Sequence, residues 1–142
     1  MIGVVVVTHG QLATELVNAA EMIVGDLPHF AAVSIGWHED VDQARDEIGK
    51  AIDRVRARVA TPEQPGGVLV LTDMFGGTPA NLAVTFLDTN NVEVVTGLNL
   101  AMLMKLARPL KDTDLLTLAR EIREQGRNAI WVASDLIRGE KT

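Results

Sequence analysis

Of the three histidines in the chain, His9 is the one placed where an imidazole could act as a nucleophile. It sits in Thr8-His9-Gly10, directly after a valine-rich run. A second segment, Thr72-Asp73-Met74-Phe75-Gly76-Gly77-Thr78-Pro79, also follows an apolar run and offers a carboxylate, a glycine turn and two hydroxyls. A carboxylate that accepts from one imidazole nitrogen fixes the tautomer and leaves the other nitrogen free to attack. A glycine turn leading into a helix start presents backbone N–H groups to an anion, and Thr78 adds a hydroxyl. Nucleophilic histidine plus anion cradle is what a phosphoryl acceptor requires. The pattern G-x-x-x-x-G-K-[ST] is absent, which argues against a nucleotide as the phosphoryl donor.

Each feature alone has a bland reading. A histidine after a strand is commonly a hydrogen-bonded loop residue, Gly-Gly-Thr-Pro a turn and helix cap, and Asp73 a structural acceptor. Function is argued from the two strand ends together. His29, after Pro28, and His38, in Gly36-Trp37-His38-Glu39-Asp40, read as solvated loop residues. No H-x-x-x-H or comparable spacing supports a zinc site, so no metal is expected, nor any cofactor. Trp37 and Trp131 read as packing residues.

Short apolar runs alternate with segments of helical period, the pattern of an α/β fold with a mainly parallel sheet. Ile2 to Val7 reads as a strand buried on both faces. Leu12, Leu16, Ala19, Ala20 and Ile23 form a helical stripe stopped at Gly25. Phe30 to Ile35 is a second strand. Asp40 caps a helix with core face Val41, Ala44, Ile48, Ile52, Val55 and Val59. After the turn-rich segment 61–67, Val68 to Leu71 is a third strand; Thr78 then caps a helix with Pro79 at its first position. Val92 to Val95 is a fourth strand, and Asn99 caps a helix over Leu100 to Leu106 that Pro109 ends. A last helix, Thr113 to Glu124 with Leu115, Leu118 and Ile122 inward, stops at Gly126, and Ala129 to Val132 is a final short strand. In open parallel sheets ligands gather beyond the C-terminal strand ends. If the first and third strands are neighbours, His9 and Asp73 meet there.

The 142 residues fit one domain, spanning 1–142, and 47% apolar with 23% charged residues is an ordinary globular balance. Aromatics are 4%, so the core is aliphatic. A net charge of -6 argues against nucleic acid as a partner. There is no cysteine, which removes disulfides and thiolate chemistry and agrees with a cytoplasmic protein. The apolar start lacks a basic leader region, and no apolar run approaches the ~18 residues of a membrane span.

These residues carry a resemblance that extends over nearly the whole chain. Val4-Val-Val-Val-Thr-His-Gly10, Ala20-Glu-Met-Ile-Val-Gly25, Leu71-Thr-Asp-Met-Phe-Gly-Gly-Thr-Pro-Ala-Asn81 and Val95-Thr-Gly-Leu-Asn-Leu-Ala-Met-Leu103 resemble the IIA component of mannose-class phosphoenolpyruvate-dependent sugar phosphotransferase systems. The resemblance implies a single open α/β sheet of four parallel strands plus an antiparallel C-terminal strand, with helices on both faces. That last strand would be exchanged within a homodimer. It also implies a relay: the phosphohistidine carrier protein HPr phosphorylates His9, and His9 passes the group to a IIB component that serves membrane subunits IIC and IID. Asp73 would match the acidic partner of the histidine; Thr72 and Thr78 would match hydroxyls of the phosphate site, with Gly76 and Gly77 forming its turn. No IIB domain follows, so IIB is expected as a separate chain. The Gly-Gly-Thr-Pro-Ala-Asn run favours the sugar-transport branch over the related subunit of dihydroxyacetone kinase.

Two rival functions stand beside the relay, the first using the same residues. One is a regulatory protein whose phosphohistidine state changes its affinity for a signalling partner; the other is a nucleotide- or metabolite-binding domain with no chemistry. The sugar itself is not legible, because in this relay the IIA component never touches it.

Overall fold

The computed structural model describes residues 1–37, 39–64, 66–88, 91–108 and 114–139. His38, Pro109 and Thr113, named above, lie outside them. Four strands, β1 (Gly3–His9), β2 (Phe30–Ile35), β3 (Val68–Thr72) and β4 (Val92–Thr96), form one sheet in the order β2-β1-β3-β4. All three pairings are parallel. Val4 to Val7 are fully buried, because β1 is flanked by strands and covered by helices on both faces.

The helices are α1 (Leu12–Val24), α2 (Val41–Val59), α3 (Thr78–Ala83), α4 (Leu100–Leu106), α5 (Leu115–Asn128) and α6 (Ala133–Ile137), with a 3-10 turn at Val84–Phe86. Strand alternation sends Val4, Val6, Leu69 and Leu71 to one face, where they meet α1, α4 and α5. Val5, Val7, Val68 and Val70 point to the other, onto α2 and α3. The chain leaves β1 toward β2 on one side and reaches β3 on the other. The switch point of the sheet therefore lies between β1 and β3, at their C-terminal ends.

Caps follow the expected chemistry in places. Asp40 accepts from the Asp42 N–H at 3.4 Å, and Asn99 from the Met102 N–H at 3.2 Å. Several expectations need correcting. The buried face of α1 is Ala13 and Ala20 with Leu16 and Val17 beside them, whereas Leu12 and Ile23 are exposed. Apolar residues nearly encircle that helix, so spacing alone leaves its phase open. Gly77, not Thr78, occupies the cap of α3, and Thr78 is its first residue. Helix α5 runs through Gly126 instead of stopping there; a Cβ at this position would lie 2.6 Å from Met102 Sδ, so the glycine permits close packing of α5 on α4. Ala129 to Val132 form no strand in the single chain: these four residues of turn and coil join α5 to α6, with Ile130 and Val132 exposed and no described strand paired to them. Trp37 is 93% exposed, not buried.

Candidate active site

The switch point brings His9 and Asp73 into contact. His9 ends β1, pairing with Ile35 of β2, and Asp73 follows the last residue of β3. One carboxylate oxygen, Asp73 Oδ2, accepts the His9 backbone N–H at 3.0 Å and lies 2.7 Å from His9 Nδ1. A carboxylate only accepts, so Nδ1 carries the proton, and in the neutral ring Nε2 keeps its lone pair. The other oxygen, Oδ1, takes the Met74 N–H at 3.0 Å. The His9 side chain is 53% exposed and that of Asp73 only 14%: the partner is sheltered and the ring faces outward. Burial alone would push the Asp73 carboxyl pKa up. The hydrogen bonds from the His9 ring and backbone, the attraction of His9 and a loop N–H outweigh it, leaving the group below the ordinary carboxylate range.

The far edge of the ring meets the turn before α3. A Cβ on Gly77 would lie 2.8 Å from His9 Cε1 and 3.2 Å from Nε2. Only a residue without a side chain lets this turn come so near the free nitrogen. Gly76 adopts φ +87°, which shapes the bend. Thr78 is exposed at the start of α3. Thr72 aligns with Val7 across β1–β3, so alternation puts its side chain on the same sheet face as His9. Its hydroxyl is buried with no hydrogen-bond partner among the described residues. A buried hydroxyl without a partner is a vacant donor.

Thr8 was not singled out from the sequence. It is buried, and its Oγ1 accepts the Ala13 N–H at 2.6 Å and donates to the His9 carbonyl at 3.2 Å. The signal was faint but real: Gln11, at the cap position of α1, makes no side-chain cap, and Thr8 is the nearest upstream residue of capping type. His29 also departs from its reading as a solvated loop residue. It is buried, with Nε2 3.1 Å from the Leu106 carbonyl and its ring edge-on to Phe30. No cluster of metal-ligating side chains and no helix long and apolar enough to cross a membrane occurs among the described residues.

Comparison with known proteins agrees with this architecture. The family described as "PTS system fructose IIA component" (EIIA-man) matches residues 3–122. The mannose-specific EIIAB component of Escherichia coli (strain K12) is 31% identical over 134 residues, covering 91% of this chain but 39% of that longer protein. The sorbose-specific EIIA component of Lacticaseibacillus casei is 30% identical over 105 residues, 73% of this chain and 70% of the relative. Among solved structures, the mannose/sorbose specific IIA subunit from Enterococcus faecalis superposes with a TM-score of 0.74 at 28% identity, covering 92% of this chain and 93% of that one. The chain belongs to the EIIA-man family, the mannose-class IIA components of the sugar phosphotransferase system.

Proposed function

We propose that the protein carries a phosphoryl group on Nε2 of His9, accepting it from phosphorylated HPr and delivering it to a IIB component of a sugar uptake system. The observation that carries this reading is the bifurcated Asp73 Oδ2. It holds the His9 backbone and Nδ1–H together and leaves Nε2 free against Gly77. The Nε2 lone pair attacks phosphorus in line with the donor's P–N bond, which breaks with its electrons returning to the donor imidazole. His9 then bears phosphorus on Nε2 and a proton on Nδ1, and the Asp73 carboxylate offsets the ring's positive charge. Thr72, Gly76, Gly77 and Thr78 surround the phosphoryl oxygens. Transfer onward to a nucleophile of IIB reverses these steps, and IIB serves membrane subunits IIC and IID from the cytoplasm.

A phosphoenolpyruvate-driven carrier system should add one phosphoryl group by intact mass, and His9→Ala should abolish it. The phosphoramidate should be lost in acid, and nitrogen–proton NMR should place it on Nε2. Label that survives acid, or that persists in His9→Ala, overturns the assignment.

The protein also acts as a homodimer in this reading. Ile130 (75% exposed), Val132 and Ile137 (85%) form an apolar tail that a second copy would cover, with residues 129–132 adding an antiparallel strand to the open edge of its β4. Light scattering should give about twice the chain mass at tens of micromolar; a monomer there rejects the exchange.

A further inference from the structure

We infer that Thr8 is a positioning residue for the His9 nucleophile; the inference rests on His9 being the phosphoryl acceptor. His9 is the last residue of β1 and stands at a point where the chain turns away into α1, so the strand ladder ends with its pairing to Ile35. Its N–H is fixed by Asp73 Oδ2 and the following Gly10 N–H by the Ile35 carbonyl at 2.9 Å. The peptide plane that follows His9 carries this Gly10 N–H on one edge and the His9 carbonyl on the other, so the Ile35 bond holds one edge and a bond to the carbonyl is needed to hold the second. Thr8 Oγ1 donates to that carbonyl at 3.2 Å.

The same oxygen accepts the Ala13 N–H at 2.6 Å, a first-turn donor of α1 that Gln11 leaves uncapped. Thr8 and Ala13 are both fully buried, so water does not compete for the bond between them, while the bond to the His9 carbonyl is part-buried. The hydroxyl thus ties together the strand end, the nucleophile's own carbonyl and the helix start. Its face matters as well. Thr8 follows Val4 and Val6 onto the α1 face, while His9 points to the opposite face, where Gly77 and Asp73 meet its ring. Thr8 therefore touches no reacting atom and acts through the backbone of its neighbour. If that peptide plane rotates, the ring swings about the Asp73 contact and Nε2 leaves its line of attack.

The test replaces the hydroxyl at constant shape. Thr8→Val should lower the saturated rate of phosphoryl uptake from HPr ~10- to 100-fold, the loss that follows a misplacement of up to ~1 Å. The HPr concentration for half-maximal rate should stay unchanged, because no docking surface is altered. Thr8→Ser, which keeps the oxygen, should return the rate to within about threefold of wild type. Nitrogen–proton NMR of the unphosphorylated proteins gives a readout that stability alone does not move: wild type and Thr8→Ser should show His9 as one Nδ1–H tautomer, and Thr8→Val a mixture. Rates are compared well below each protein's melting point. Should Thr8→Val fail to fold, Thr8→Ala and Thr8→Ser give the same comparison. A Thr8→Val or Thr8→Ala protein that is merely less stable, with wild-type saturated rate and an unchanged tautomer, overturns the inference. If wild type takes no phosphoryl group on His9, the proposed function falls, and the tautomer comparison still decides whether Thr8 positions the ring.

Discussion

Substituting Gly77 by alanine should damage transfer while leaving the fold nearly untouched. The new Cβ would lie 2.8 Å from His9 Cε1, against 3.4 Å for the near limit of ordinary contact, so ring and turn must separate by about 0.6 Å. The ring cannot retreat freely, because Asp73 Oδ2 holds Nδ1 at 2.7 Å from the other side. Either that hydrogen bond lengthens or the turn moves off Nε2, and both misalign the attack. Since ~1 Å of misplacement removes roughly 100-fold, a displacement of this size predicts a fall of ~10-fold or more. The backbone offers no comparable resistance. Gly77 has φ -88° and ψ 171°, which any residue adopts. Losing glycine at a helix cap costs up to ~1 kcal/mol, and the reduced freedom of the unfolded chain returns ~0.4–1 kcal/mol. Gly76→Ala is the opposite control. Its φ of +87° strains an alanine by ~1–2 kcal/mol, but a Cβ there meets nothing within 4 Å. Time courses of phosphorylation by intact mass, beside urea unfolding of each variant, separate the two. A Gly77→Ala protein that transfers within twofold of wild type refutes the claim that the turn presses on the nucleophile.

Asp73→Ala should slow phosphorylation by ~10²-fold, the low end for removing an orienting carboxylate from a histidine site, and a wild-type rate would mean that His9 is activated elsewhere. Because the Asp73 pKa is lowered in the folded protein, the unfolded chain binds the extra proton first as pH falls. Its contribution to stability is complete above the ordinary carboxylate pKa and is lost as pH drops through the lowered folded value; urea unfolding of Asp73→Asn should show a flatter acid limb. Gly126→Ala should destabilise by ~1–3 kcal/mol through the clash with Met102, measured by thermal unfolding, with phosphorylation unaffected. His29→Leu strands the Leu106 carbonyl and should lose ~1–3 kcal/mol, yet take the same single phosphoryl group as wild type; loss of labelling at equal folding would give His29 a role in the chemistry.

The parts of the fold that read clearly were those with one dominant signal. A valine run can only be a strand buried on two faces, and the polar residues at the ends of β1 and β3 stood out against it, so the His9–Asp73 pair was legible once the strands were taken as neighbours. Alternating strands and helical stripes likewise gave the four-stranded parallel sheet. What failed depended on partners distant in sequence. Gly126 looked like a helix stop because the pressure of Met102 on it is invisible in a linear reading. His29 looked solvated because its acceptor, the Leu106 carbonyl, lies 77 residues away. Thr8 sits beside the nucleophile in sequence, but which face its hydroxyl takes depends on β1 being covered by α1. The tail from Ala129 has strand-like composition, and composition alone does not supply a neighbour to pair with.

The contact between Asp73 Oδ2 and His9 spans 64 residues of chain and closes across the β1–β3 pairing. A nascent or partly denatured chain contains the same histidine, but its tautomer is unselected and no glycine turn stands beside it. In the proposed relay, competence to receive phosphate is a property of the assembled sheet, and a carrier protein would act as an inspector that charges only finished molecules. In a denaturant titration, the fraction of protein that can be charged should fall with the same midpoint as the backbone signal, making the reaction a direct count of native molecules.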